Sequence, residues 1–232
     1  MHSCLLITLF FIFFYVGECQ KCLNHLGQAV DWWVILKVPP KIGKSGFGYY
    51  DSTYSHSSFN YVSLHVDETS TALYNTLQQI NTYSLESVAW NDEKPTGQTS
   101  TTLAHSKGLI GFNATSKLGF LISHSLPKYP EYINHKVNIT IAPSQNFYGQ
   151  HLLCVSMSLN ELNKLAYRLL ITRPYVYESN VKNSSATAYL ADLAASRSQK
   201  VSNDFQVEEY NPNVGVTIKG IFKNGFINCS IF

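Results

Sequence analysis

Charge is scarce in this chain. Its 232 residues carry 17 Lys and Arg against 15 Asp and Glu, 14% charged in all, for a net of +2 at neutral pH. That excludes a protein that holds nucleic acid mainly by bulk positive charge at neutral pH, because such binding grows with the number of phosphates neutralised. No His/Cys/Asp spacing suits a zinc or calcium site, so neither a metal nor a cofactor is expected. Beyond Val16 no run is long and apolar enough to span a bilayer, so no membrane partner is expected once a leader is removed. There is no internal repeat and no low-complexity segment. No histidine follows His151, and His105-Ser106-Lys107 is the one His-x-Lys triplet.

What is present begins with an apolar leader. Leu5 to Val16 is apolar except for Thr8, and small or polar residues follow, so residues 1–19 read as a signal peptide. Cleavage near Cys19 leaves about 213 residues, enough for one large domain or two small ones. Four N-x-S/T sequons, at Asn113, Asn138, Asn183 and Asn228, fit passage through the secretory route. A secreted or lysosomal destination is expected. Cys4 and Cys19 leave with the leader. Of the remaining Cys22, Cys154 and Cys229, the first two flank strand-like runs and are expected to pair across a long loop, where the entropic gain is large. Cys229 is left free or links two chains. Seven histidines survive in the mature chain and gain charge in an acidic compartment, so affinity for a polyanion should rise as pH falls.

The apolar pattern predicts strands at Val30–Val38, Glu86–Trp90, Lys107–Phe112, Leu118–His124, Leu152–Met157 and Gly215–Lys219. Val30–Val38 reads as a buried strand. Helices are predicted over Asp67–Ile80, with Ala72, Leu73, Leu77 and Ile80 on one face, and after the capping box at Ser158–Glu161, with Leu162, Leu165, Ala166 and Leu169 inward. Ala186–Ser196 is a third helical stretch. The region from Gly43 to Gly48 reads as a turn and Tyr49 to Tyr61 as a loop with short strands. Strands alternating with helices give an α/β fold or α+β layers.

A hairpin over 107–124 brings His105 and His124 to the same open end of adjacent strands. A His and a Lys two apart on a strand share a face, which suits attack on a phosphodiester and neutralisation of its charge. Chance is the competing explanation for a lone His-x-Lys. Among other residues, Trp32 and Trp33 read as core rather than a base-stacking platform. His25, His56, His65 and His135 read as solvent-exposed, His151 as a packing residue, and Lys41 and Lys44 as part of a solvated loop. Asp31 reads equally as a satisfied core carboxylate or a site residue.

Several segments together resemble the deoxyribonuclease II family. Gly27-Gln28-Ala29-Val30-Asp31-Trp32 is similar to its opening G-Q-x-V-D-W motif, and Trp90-Asn91-Asp92 to its N-D turn. His105-Ser106-Lys107-Gly108 is similar to its first H-x-K-G. His124-Ser125-Leu126-Pro127-Lys128-Tyr129-Pro130 resembles H-S-x-P-x-F/Y-P. Tyr148-Gly149-Gln150-His151-Leu152-Leu153-Cys154-Val155-Ser156 resembles Y-G-Q-x-L-L-C-V-S, and Pro174-Tyr175-Val176-Tyr177 resembles P-x-V-Y. Six motifs in order spread over most of the mature chain.

The resemblance implies a phospholipase-D-like fold of two similar halves, each bringing one H-x-K to a shared site. One His attacks phosphorus and is transiently phosphorylated, and the other protonates the leaving oxygen. The implied reaction is metal-independent hydrolysis of DNA in acid, leaving 3′-phosphates. On this chain it makes His105, Lys107 and His124 catalytic candidates and Asp31 and Asn91 substrate-binding candidates. The Cys22–Cys154 pair matches the family's first-half disulfide.

The departure from the family is the missing second H-x-K. On this reading residues 20–175 form a first half, and 176–232 a linker and an incomplete start of the second. Three outcomes stay open. A homodimer supplies two copies of His105 and Lys107; His124 serves as a poor acid; or the chain is an inactive secreted DNA-binding or decoy glycoprotein. Half of a two-half fold would also leave an apolar face exposed.

Overall fold

A computed structural model describes residues 20–39, 46–55, 58–199, 205–213 and 216–223. The leader, Lys41, Lys44, His56, Asn228 and Cys229 lie outside the described residues.

Short strands β1 (Cys22–Leu23) and β2 (Ala29–Val30) pair with each other and lead into β3 (Trp32–Val38). β3 alternates: Trp33, Ile35 and Lys37 are buried, while Leu36 is exposed. It is a half-buried strand, not one covered on both faces, and so Trp33 enters the core while Trp32 stays on the outer side. There Trp32 packs against Tyr50, with ring centroids 5.6 Å apart. The expected Tyr-rich loop contains β4 (Gly46–Asp51) and the edge strand β5 (Asn60–Val62).

Helix α1 (Ala72–Tyr83) starts where Thr71 caps it, its hydroxyl accepting from the Tyr74 amide at 3.2 Å. The predicted inward face, Ala72, Leu73, Leu77 and Ile80, is buried. Next come β6 (Glu86–Asn91), β7 (Lys107–Asn113) and β8 (Leu118–His124). A two-stranded ribbon, β9 (Glu131–Ile133) with β10 (Lys136–Asn138), precedes β11 (Gln150–Ser158). Ser158 ends β11 and caps α2 (Leu159–Thr172), its hydroxyl accepting from the Glu161 amide at 3.2 Å, half of the predicted capping box.

Eight strands form one sheet in the order β12-β6-β7-β8-β11-β3-β4-β5, where β12 is Val176–Ser179. Every neighbouring pair is antiparallel, so the fold is α+β rather than α/β. β12 belongs to this sheet through β6, and α3 (Ala188–Ala194) packs on α2. Residues 176–199 therefore continue the domain instead of linking away from it, because β12 pairs along an otherwise open edge and α3 packs on α2. A hairpin of β13 (Phe205–Asn213) and β14 (Val216–Lys223) lies against α2 and β11.

The sheet separates two cores. On one face Trp33, Phe47, Tyr49, Phe120 and Ile122 pack with α1, and the Cys22–Cys154 disulfide closes a span of 132 residues. On the other, Val88, Trp90, Ile110, Val155 and Met157 meet α2, α3 and the terminal hairpin.

Candidate functional site

The site forms at one end of the sheet, where β7 begins, β8 ends and β11 begins. Gly108 pairs with Ser123 and Leu152 with His124, so Lys107 and His124 are adjacent at the same end. Lys107 is the first residue of β7; His105 precedes the strand in an irregular segment. The two therefore do not share a face through strand alternation. A carboxylate brings them together. Asp92, just beyond β6, lies 3.2 Å from Nε2 of His105 and also accepts from the Lys107 ammonium. Lys107 and Asp92 are buried, whereas the His105 side chain is 85% exposed and open to a large substrate. Ala104 is tied to Pro174 by a parallel bridge, and its amide donates to the Arg173 carbonyl at 3.0 Å, which fixes the segment carrying His105.

Gly108 is where the His-x-Lys-Gly pattern needs no side chain. The Trp90 indole crosses it so closely that an added Cβ would lie 2.4 Å from the ring. Only glycine lets β7 approach β6 there and set Lys107 beside Asp92.

His124 is buried, and its Nδ1 accepts from the Leu126 amide at 3.2 Å. Burial, with the Lys107 ammonium and His151 nearby, holds its imidazole at a pKa of about 3. It is therefore neutral in mild acid and a poor proton donor to a leaving group. Its Nε2 is buried without a hydrogen-bond partner.

Asn91 is fully buried. Its amide nitrogen donates to the Leu126 and Tyr129 carbonyls, both at 3.0 Å, and its oxygen accepts from the Glu93 amide at 2.9 Å. It ties the turn after β6 to the segment after His124. Asp31 is not brought to the cluster: it precedes β3, its carbonyl accepts from the Ser156 amide, and Lys37 at the far end of β3 pairs with Gln150 beside the site. Asn113 and Asn138 lie at the ends of β7 and β10, partly buried, and Asn183 lies in an exposed loop.

Sequence reasoning placed Asp92 in the N-D turn but took Asn91 alone as a site candidate, although an acidic residue opening the turn after a strand was a signal for Asp92. It also assigned His151 to packing. His151 is exposed and lines a cavity of about 640 Å³ whose mouth holds His105, Lys107, His124, Ser123 and Ser125. His25 is half-buried rather than exposed: its ring lies 4.1 Å from Tyr49, its Nδ1 accepts from the Ala72 amide, and burial lowers its pKa.

The deoxyribonuclease II family model matches residues 21–232. The chain belongs to the deoxyribonuclease II family. It is similar to Plancitoxin-1 of Acanthaster planci, 26% identical over 191 residues, which are 76% of this chain and 52% of that protein. Deoxyribonuclease-2-beta of Mus musculus is 25% identical over 226 residues, 91% of this chain and 62% of that one. Deoxyribonuclease-2-alpha of Rattus norvegicus is 28% identical over 177 residues, 72% and 50%. The chain spans about half the length of the curated relatives it matches. Among the described residues no helix is long and apolar enough to cross a membrane.

Proposed function

We propose that this chain carries one catalytic half-site of an acid-active, deoxyribonuclease II-like endonuclease that cleaves DNA without a metal ion. The observation that carries the reading is the convergence of His105 and Lys107 on Asp92 at an open cavity mouth. With Nε2–H donated to Asp92, the Nδ1 lone pair of His105 faces solvent and attacks phosphorus. A P–N bond forms and the P–O5′ bond breaks. The 5′ oxygen takes a proton, and water then hydrolyses the P–N bond to leave a 3′-phosphate. Lys107 offsets the charge that builds on the phosphoryl oxygens.

The proton for the leaving oxygen is the missing part. An alkoxide leaves slowly without one. Buried, neutral His124 does not suit the task, so its role is to shape the wall behind Lys107. A second copy of the chain, bringing its own His105, supplies the acid. DNA is the substrate, and the leader and sequons suit a secreted or lysosomal glycoprotein. A competing reading, an inactive DNA-binding glycoprotein, draws its support from the single H-x-K.

The test is plasmid digestion at about pH 5 by the glycosylated protein with chelator present, with His105→Ala alongside and the mass in solution measured. Cleavage that the variant loses by about a thousandfold or more, from a dimer, supports the nuclease. DNA binding without cleavage by either form supports the competing reading.

A further inference from the structure

The 640 Å³ cavity extends well beyond the groups that a phosphodiester needs. It starts at the His105 end of the sheet and runs along β11. His151, Leu153, Val155 and Met157 are two apart on that strand, share one face, and all line it. Six residue steps give a length of about 20 Å. Leu121 of β8 joins this floor, since Leu121 pairs with Val155. Leu165 and Leu169 of α2 form one wall, and Tyr210, Ile218 and Phe222 of the terminal hairpin form the roof. Leu121, Leu153 and Ile218 are only partly buried. Polarity is graded along the β11 floor, from His151 beside Lys107, His105 and Ser123 to Met157 at the other end, while Lys219 of β14 adds one charge to the roof.

A polynucleotide carries a charge at every step, and its bases, though they stack on aromatic rings, have polar edges that Leu153, Val155 and Met157 would leave unpaired. A large, mostly apolar groove with polar groups at one end has the form of a small-ligand site. We infer that this cavity binds a single-chain amphiphile with a phosphate head, its head at the Lys107 mouth and its alkyl tail along β11 toward Met157. The inference extends the phosphate-binding reading of the mouth, but it needs neither DNA cleavage nor a second H-x-K.

The experiment is calorimetric titration of the full chain with dodecyl phosphate below its micellar concentration, with inorganic phosphate, dodecanol and a short oligonucleotide as separate arms. Dodecyl phosphate should bind one per chain and at least tenfold tighter than inorganic phosphate or dodecanol. Met157→Trp, which fills the apolar end, should weaken dodecyl phosphate at least tenfold and leave the oligonucleotide unchanged. Leu121→Phe serves the same purpose if the first variant does not fold. Equal affinity for dodecyl phosphate and inorganic phosphate overturns the inference, as does a folded filled variant with undiminished dodecyl phosphate binding. Equal affinity for dodecanol overturns the phosphate head. An oligonucleotide that binds while dodecyl phosphate does not leaves the nuclease reading standing and removes only the amphiphile. Loss of both removes the two together.

Discussion

The two faces of the sheet are covered differently. The α1 face is filled by large rings and stapled by the Cys22–Cys154 disulfide, with Trp33, Phe47, Tyr49 and Phe120 wholly out of solvent. The α2 face is covered by two helices and a hairpin and keeps a cavity. One face supplies stability, and the other holds space that opens beside His105 and Lys107. The site sits at the sheet end where the two meet, so a close-packed layer backs the edge that carries His105 and Lys107, and the far side of that edge stays open.

That contrast can be broken most severely at the disulfide. Cys22→Ser with Cys154→Ser removes a 132-residue closure, and unfolding in denaturant should show a loss of about 4–5 kcal/mol on the chain-entropy estimate. A smaller loss would mean that the unfolded chain is already restrained. Phe120→Ala comes next, at about 3–5 kcal/mol, because its ring packs over Gly111 on the filled face.

Acidity should strike the same region. His124 has its pKa lowered to about 3 in the folded chain, against an ordinary 6.5 when unfolded. The unfolded chain then binds more protons between these values, so stability is full above about pH 6.5 and falls as pH drops toward 3. At pH 5 the expected cost is about 2 kcal/mol relative to neutral pH. His25, shifted the same way by burial, adds to that slope. Urea midpoints from pH 7 to 5 for the wild type and His124→Asn measure it, and an unchanged slope in the variant would remove His124 as the cause. Leu153→Ala should be mildest, about 1.5 kcal/mol or less, since its side chain already borders empty space. If it costs as much as Phe120→Ala, the two faces are not different in packing.

Much of what covers both faces was legible in the chain. The spacing of Ala72, Leu73, Leu77 and Ile80 marks the inward stripe of α1, Ser158 with Glu161 marks the start of α2, and the apolar runs at 107–113 and 118–124 mark the hairpin. What the pattern misplaced depends on neighbours. Trp32 and Trp33 look alike in sequence, yet strand alternation sends one to the core and the other to the outer face. Val176–Ser179 looked like linker because a four-residue edge strand gains its order from β6.

By itself the sequence determined the family and the cysteine pair and marked His105 and Lys107 as candidates, since each is written in local patterns or in motifs along the chain. Only the tertiary structure decided that Asp92 joins those two residues, that His124 stays neutral, and that a cavity runs from them beneath the terminal hairpin. Those outcomes depend on which strands pair, in what register, and on what covers each face. The periodicity of a segment records which of its residues turn inward, but not what they meet there.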